Sequence, residues 1–282
     1  MIEIKNLTKR FEKFTAVDHL NLKIETGEFF GLLGPNGAGK TTTISMLSTV
    51  LLPSEGEVTI DGKPLNRTAS AEKRKLSVIT QEYSMRQDMT MDEVMEYQGR
   101  LYFLPKKVIK ERTDYWLEFT GLIQHRKRVV RHLSGGMKRK LMVCRALLIE
   151  PQILLLDEPT AGMDAISRRQ MWNLLRRLNQ KGLTIVLTTH YIDEAQSLCD
   201  RVALIEGGKL NTVDAPQNLI KELGAYTVDV ITEEKLTSHY FHQRQEALDY
   251  ISSLHIDADA SMRNTTLEDV FVERVGKRLG KK

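Results

Sequence analysis

Residues 29–41 read Phe-Phe-Gly-Leu-Leu-Gly-Pro-Asn-Gly-Ala-Gly-Lys-Thr, and this stretch decides the fold. Its first five residues are apolar apart from one glycine and do not alternate with polar residues. A run of this kind indicates a strand buried on both faces, as in a parallel sheet covered by helices. A helical pattern occupies residues 40–51. A glycine-rich loop therefore joins a buried strand directly to a helix.

The loop matches the pattern G-x-x-x-x-G-K-[ST] in the context that gives it meaning, after a strand and before a helix. Small residues let backbone N–H groups turn toward phosphate oxygens, and the positive end of the helix dipole adds to the attraction. Lys40 can reach the β and γ phosphates, and the Thr41 hydroxyl suits Mg²⁺. We therefore predict ATP and Mg²⁺, with nucleotide contacts from Gly34, Pro35, Asn36, Gly37, Ala38, Gly39, Lys40, Thr41 and Thr42. A chance glycine-rich turn is the alternative.

A second continuous apolar run, residues 153–156, ends in two adjacent carboxylates, Asp157 and Glu158. Successive residues on a strand point to opposite faces, so the two side chains should have different roles. We expect Asp157 to face the metal ion and Glu158 to face the γ phosphate and its attacking water, as a catalytic base. A helix cap is the alternative for paired acids after a strand.

Strand and helix patterns alternate along the chain and predict an α/β fold with the core of the phosphate-loop NTPases. Short alternating segments at residues 2–7, 20–24 and 57–60 indicate an N-terminal antiparallel β subdomain. Helical patterns include residues 92–104, 106–119, 135–149 and 165–180, and a hairpin is expected around residues 202–213. We assign residues 1–214 to one domain, with a helical subdomain at about 84–150.

The pattern of apolar and polar residues changes after Pro216, and residues 215–282 are expected to form a small α+β extension. Its patterns suggest a strand at residues 226–231, a helix at 243–254, a second strand at 256–262 and a last helix at 266–274.

Residues 133–137, Leu-Ser-Gly-Gly-Met, lie before Asp157 and open a helix. Because this segment occurs together with the phosphate loop and the paired carboxylates, residues 2–214 resemble the ATP-binding cassette family. In that family the segment is the signature motif. Ser134, Gly135 and Gly136 form a second anion site there, and a plain helix cap is the alternative. The resemblance also implies roles for Gln81 in metal binding and catalysis, for Asp164 in the D-loop, for His190 as the catalytic switch and for Phe11 as the adenine platform.

Met137 stands where many members of the family carry glutamine, which puts a ribose contact at that position in doubt. This variant and residues 266–271, Thr-Leu-Glu-Asp-Val-Phe, resemble the branch of drug-resistance, nodulation-factor and related ABC-2 type exporters. The resemblance implies a head-to-tail homodimer and a separate membrane permease. We expect the permease to dock on the Met-rich residues 83–103. The alternatives are an importer subunit, a soluble ATPase outside transport, and a core stripe in place of the docking surface.

The composition is that of an ordinary globular chain, with 41% hydrophobic residues and a net charge of +4. The chain shows neither an apolar run long enough to span a bilayer nor a secretory signal, so we expect it in the cytosol. The permease that the resemblance implies would place it at the cytoplasmic face of the membrane. Nucleic acid is not an expected partner, because the basic clusters at residues 73–75, 126–128 and 138–140 lack interleaved aromatic residues and read as solvated helix faces. The two cysteines are expected to be buried thiols.

Overall fold

The computed structural model describes residues 1–231, 236–254 and 259–276. These residues form strands that we number along the chain as β1 (Ile2–Phe11), β2 (Phe14–Ile24), β3 (Phe29–Leu33), β4 (Glu55–Ile60), β5 (Lys63–Pro64), β6 (Leu76–Ile79), β7 (Ile153–Asp157), β8 (Thr184–Thr189), β9 (Arg201–Glu206), β10 (Lys209–Asp214), β11 (Tyr226–Ile231), β12 (Leu236–Phe241) and β13 (Asp259–Asn264).

The α-helices of the same residues are α1 (Lys40–Leu47), α2 (Ser70–Arg74), α3 (Met91–Leu101), α4 (Lys106–Phe119), α5 (Gly135–Leu147), α6 (Ala165–Gln180), α7 (Ile192–Leu198), α8 (Pro216–Leu223), α9 (Arg244–Ser253) and α10 (Leu267–Phe271). Two 3-10 turns, Ile123–His125 and Val130–His132, lie between α4 and α5, and a π-helical turn, Val272–Gly276, follows α10. Among these helices, every one is too short or too polar to cross a bilayer.

The central sheet has six strands in the order β10-β9-β3-β8-β7-β6, parallel except for the β9–β10 hairpin at its edge. Every residue of β3, β7 and β8 is buried, which explains their continuous apolar runs. Phe29 and Leu33 pack into one hydrophobic cluster with the helices, whereas Phe30 and Leu32 pack into another with the antiparallel strands. Strand β3 therefore belongs to two cores at once, and the loop that follows it is held firmly.

A second sheet, in the order β2-β1-β4-β5, is antiparallel where its strands pair and forms the predicted N-terminal subdomain. Strands β1 and β2 are longer than the sequence patterns suggested, and they meet in a hairpin where Phe11 pairs with Phe14. The α/β fold with its antiparallel subdomain is confirmed.

The helical subdomain contains α3, α4 and α5, close to where the helical patterns placed them. Helix α3 starts with a capping box, in which Glu93 N–H donates to the Thr90 hydroxyl oxygen at 3.3 Å and Thr90 N–H donates to the Glu93 carboxylate at 2.7 Å. Met85, Met91 and Met95 are buried in the core. The expectation of a Met-rich docking surface is therefore wrong for these three methionines, because they fill the space between the packed helices.

The C-terminal part contains a three-stranded sheet with β11 at its centre, covered by α9 through Val228, Val230 and Ala247. Strands β11 and β13 and helix α9 were predicted, and β12 was missed. Residues 256–258 of the predicted strand at 256–262 lie outside the described residues. The expected last helix at 266–274 is found as α10 followed by the π-helical turn. Leu219 of α8 and Leu267 of α10 pack into the main helical core, so this part is anchored to the rest of the chain.

Both cysteines, Cys144 and Cys199, are buried free thiols, as expected. Burial raises the pKa of Cys144 to about 12, and the hydroxyl of Thr120 partly opposes that shift. Both thiols are therefore poorly suited to redox chemistry.

Candidate active site

The glycine-rich loop runs from the end of β3 to the start of α1 and lies very close to its neighbours. A Cβ atom at Gly34 would stand 2.3 Å from the carbonyl oxygen of Ile205, and one at Gly39 would stand 2.4 Å from that of Ala16. Gly39 also has a φ of 101°, a left-handed conformation that other residues rarely adopt. These two glycines therefore allow the loop backbone to curl in front of the helix.

Lys40 is buried at the start of α1, with 6% of its surface exposed. Its Nζ atom donates hydrogen bonds to the carbonyl oxygens of Gly34 at 2.7 Å and Pro35 at 3.1 Å. The ammonium group is thus folded over the loop, where it adds positive charge. Burial lowers the pKa of Lys40, and the charges of Glu158 and Asp157 oppose that shift.

Asp157 ties the loop to the middle of the sheet. Its Oδ1 atom accepts hydrogen bonds from the Thr41 hydroxyl at 3.1 Å and from the Thr188 hydroxyl at 2.6 Å. Asp157 and Thr188 are register partners of the parallel strands β7 and β8. A hydroxyl and a carboxylate oxygen side by side provide hard oxygen ligands of the kind that Mg²⁺ prefers.

Glu158 lies just beyond the end of β7 and has a φ of 49°, which is strained for a residue other than glycine. Its N–H donates to the Thr188 carbonyl oxygen at 3.1 Å. We expected strand alternation to separate Glu158 from Asp157, but the left-handed turn after the strand does so instead. The turn presents the carboxylate to His190, whose Nδ1 atom lies 2.6 Å from Glu158 Oε2.

These groups meet in one cleft of about 490 Å³. Its lining brings together residues that are far apart in the chain: Phe14, Ala16, Asn36, Gly37, Ala38, Gly39, Lys40, Thr41, Thr42, Gln81, Glu158 and His190. Gly34 and Pro35, at the start of the loop, are not in this lining, and their carbonyl oxygens accept hydrogen bonds from Lys40. Asp157 is linked to the cleft by its hydrogen bond from Thr41. Most of the predicted phosphate and catalytic residues are therefore neighbours in the folded chain.

The signature segment stands apart from that cleft, because Ser134, Gly135 and Gly136 are absent from its lining. Ser134 caps α5 and its hydroxyl oxygen accepts a hydrogen bond from the N–H of Met137 at 3.2 Å. The helix-cap alternative is therefore correct as a local description, and it leaves open a second role for the helix start. The side chain of Met137 packs against the helical core.

Arg139 was missed by the sequence reasoning, which read the basic cluster at residues 138–140 as a solvated face. That reading is wrong for Arg139, which is only 2% exposed. Its guanidinium donates to the carbonyl oxygens of Thr80 at 2.8 Å and Gln81 at 2.9 Å, and it lies 5.2 Å from the ring of Tyr83. Burial lowers the pKa of Arg139. Arg139 therefore connects α5, the helix that begins in the signature segment, to the segment that contains Gln81.

The aromatic platform also differs from the expectation. Phe14, and not Phe11, is part of the cleft lining. The two rings stack on each other, with centroids 5.3 Å apart and an angle of 28° between their planes. The side chains are 41% exposed at Phe11 and 62% exposed at Phe14. The β1–β2 turn thus offers a pair of rings. In the sequence, the only sign of Phe14 was its position three residues after Phe11.

Known proteins are similar to this chain in sequence and in fold. Residues 17–161 match the family described as ABC transporter. The linearmycin resistance ATP-binding protein LnrL of Bacillus subtilis is 35% identical over 82% of this chain and 75% of the relative. A Nod factor export ATP-binding protein I of Cupriavidus metallidurans is 34% identical over 99% of this chain and 98% of the relative.

Solved structures agree with these sequence matches. CbiO1 of Clostridium perfringens, described as part of the ABC transporter complex CbiONQ, aligns with a TM-score of 0.73 and 27% identity over 78% of this chain and 90% of its own. A dimeric post-hydrolysis state of the ATP-binding cassette MJ0796, bound to ADP and Pi, aligns with a TM-score of 0.67 and 28% identity over 76% of this chain and 98% of its own.

The aromatic pair generates a prediction about nucleotide affinity. Because a base stacked on an aromatic ring gains about 1–3 kcal/mol, Phe14→Ala should weaken ATP binding by about tenfold, as measured by calorimetry with Mg²⁺. Phe11→Ala should weaken it less, since Phe11 supports the other ring from the side away from the cleft lining. Phe103→Ala is the matched control, because Phe103 is a 90% exposed phenylalanine outside that lining. Equal affinities for wild type and Phe14→Ala would contradict the assignment.

Proposed function

Because the chain belongs to the ABC transporter family, we propose that it is the ATP-hydrolysing subunit of an export system and that it drives a separate membrane permease. The family assignment makes the chain an ATPase that serves a transporter. The observation that carries the proposal is the joint placement of the loop, Asp157, Glu158 and His190 around one cleft.

Mg²⁺ is the cofactor that we propose for this site. Thr41 and Asp157 would hold it, because their oxygens already lie 3.1 Å apart at the edge of the cleft, and Gln81 offers an amide oxygen from the same lining. When bound with ATP, Mg²⁺ neutralises negative charge on the phosphate oxygens. Lys40 and the loop N–H groups add the remaining positive charge from the protein.

Glu158 is the base that we propose for hydrolysis. Its carboxylate takes the proton from the attacking water, and the 2.6 Å contact with His190 Nδ1 holds it in one orientation. The strained backbone at Glu158 supports this role, since such strain is concentrated at functional sites. His190 forms part of the same wall of the cleft and so can link the state of the nucleotide to the turn before α7.

A head-to-tail homodimer would complete the site. The start of α5 presents a hydroxyl, backbone N–H groups and a helix dipole, but these groups are outside the cleft lining of their own chain. A second copy can bring Ser134, Gly135 and Gly136 to the γ phosphate. Loss of that phosphate would then favour the open pair, because contacts to it bridge the two chains. A solved relative, the cassette MJ0796, is described as dimeric.

The direction of transport is proposed from the relatives, whose names describe Nod factor export and linearmycin resistance. We assign this chain to the same ABC-2 type exporter branch and to the cytoplasmic face of the membrane. An importer subunit is the second candidate.

The permease would dock at a groove of about 450 Å³ between the central sheet and the helical subdomain. Ser77, Gln98, Tyr102 and Arg145 are among the residues that line it. The end of α3 and the turn after it leave large apolar side chains in solvent beside this groove, which are Tyr97, Leu101, Tyr102 and Phe103. An amphipathic helix of the permease is the occupant that fits such a groove.

The groove is also connected to the active site through Arg145. The guanidinium of Arg145 lines the groove and donates to the carbonyl and the hydroxyl of Ser84, the latter at 2.8 Å. Ser84 lies three residues after Gln81, which lines the nucleotide cleft. Movement of a docked helix can therefore reach the nucleotide through this short segment.

Replacement of the base should separate binding from turnover. Glu158→Gln keeps the shape of the side chain and removes its basicity, so kcat should fall by about 100-fold or more while ATP is still bound. The variant should also accumulate as a dimer with ATP and Mg²⁺, measured by size-exclusion chromatography. Glu118→Gln, at an exposed carboxylate of α4, is the matched control. Wild-type phosphate release by Glu158→Gln would exclude Glu158 as the base.

Cross-linking should locate the permease. A photoreactive phenylalanine analogue at Tyr102 should form a covalent product with a membrane protein in membranes from cells that make the full chain, because Tyr102 lines the groove. Tyr115 is the control position, since it is an exposed aromatic residue of the same subdomain that stacks against Phe119. A product from Tyr115 and none from Tyr102 would place the permease elsewhere.

A further inference from the structure

Glu194 is a fully buried carboxylate close to the active site that the proposed mechanism leaves without a role. It lies in the first turn of α7, four residues after His190, and has 0% of its surface exposed. Burial of a carboxylate is costly unless hydrogen bonds compensate it. A leucine or methionine would fill the same volume at lower cost, so the contacts of Glu194 call for a functional explanation.

The contacts of Glu194 come from two other segments. Its Oε1 atom accepts one hydrogen bond from the Thr160 hydroxyl and another from Trp172 Nε1, each 2.9 Å long. Burial raises the pKa of Glu194, and the hydrogen bonds from Thr160 and Trp172 oppose that shift. One oxygen therefore joins the helix that follows His190 to two groups outside that helix.

Thr160 and Trp172 lie on either side of the segment 161–164. Thr160 is buried in the turn that starts at Glu158, where the N–H of Ala161 donates to the Glu158 carbonyl oxygen at 3.2 Å. Trp172 belongs to α6, which starts directly after Asp164. Glu194 thus contacts the residue just before that segment and a residue two turns into the helix after it, from the helix that follows His190.

We propose that Glu194 is a positioning residue for ATP hydrolysis, which holds Glu158, the segment 161–164 and His190 in one arrangement through Thr160 and Trp172. The inference rests on the proposed roles of Glu158 and His190. It requires no contact between Glu194 and the nucleotide. Its loss should therefore change the rate of the chemical step and leave the phosphate loop intact, because the loop is held by β3 and α1 on the other side of the cleft.

The test compares two substitutions at Glu194 in the full chain. Glu194→Ala removes both hydrogen bonds, and a misplacement of about 1 Å costs roughly 10- to 100-fold, so kcat should fall by that factor. The dissociation constant for ATP, measured by calorimetry with Mg²⁺, should change less than about twofold. Glu194→Gln keeps an acceptor oxygen for Thr160 and Trp172 and should restore most of the lost rate.

Asp193→Asn is the matched control, because Asp193 is an exposed carboxylate in the same helical turn. It should turn over ATP at nearly the wild-type rate. A purely structural role of Glu194 predicts a different pattern, in which Glu194→Ala loses ATP affinity and thermal stability together with kcat. That pattern, or a wild-type kcat in Glu194→Ala, would overturn the proposal.

The two donors provide an independent test if Glu194→Ala does not fold. Thr160→Val and Trp172→Phe each remove one of the two hydrogen bonds to Glu194 Oε1. Each should lower kcat by at least about threefold, because the buried carboxyl group then loses one of its donors. In the double variant Thr160→Val/Trp172→Phe their effects should not add, because both donors share one acceptor oxygen of Glu194. Wild-type rates in both single variants would overturn the proposal.

The outcome is separable from that of the proposed function. Glu158→Gln is measured alongside: rapid turnover by that variant removes the base assignment on which the inference rests. Slow turnover by Glu158→Gln with normal turnover by Glu194→Ala removes only the role of Glu194.

Discussion

The backbone of the phosphate loop lies closer to its neighbours than a side chain would allow, and the active site depends on this approach. Gly34 passes against the carbonyl oxygen of Ile205, and Gly39 passes against that of Ala16 in a left-handed conformation. Both contacts are made with strands of the two sheets, β9 and β2. The loop is therefore shaped by the packing of the domain, and its N–H groups are organised before any phosphate arrives.

The sheet supplies the other half of the site through ordinary parallel pairing. Strand β7 places Asp157 beside Thr188 of β8, and the loop brings Thr41 to the same carboxylate oxygen. The left-handed turn at Glu158 then directs the next carboxylate toward His190. The proposed metal ligand, Asp157, and the proposed base, Glu158, are separated by a single peptide unit. Beyond this turn, buried Glu194 joins Thr160 and Trp172 through hydrogen bonds, close to the side of the cleft that Glu158 and His190 line.

The parts that the sequence could predict are those encoded by local patterns. The buried strand β3, the loop and Lys40 are contiguous in the chain, and Asp157 follows an uninterrupted apolar run. Short or edge strands such as β6 and β12 carry too few residues of a clear period to be recognised. Arg139 lies between two lysines in the sequence, yet it can be buried because two carbonyl oxygens almost 60 positions earlier accept hydrogen bonds from its guanidinium group. Such distant partners leave no trace in a local pattern.

We infer that the phosphate loop, residues 34–41, holds the terminal phosphates of ATP. Calorimetry on the folded wild-type chain with Mg²⁺ tests it most directly when ATP and AMP are compared. Because the loop would bind the β and γ phosphates through charge-assisted hydrogen bonds, ATP should bind with measurable heat and AMP should bind at least about 100-fold more weakly. No heat of association with ATP, or equal affinity for AMP, would contradict the account.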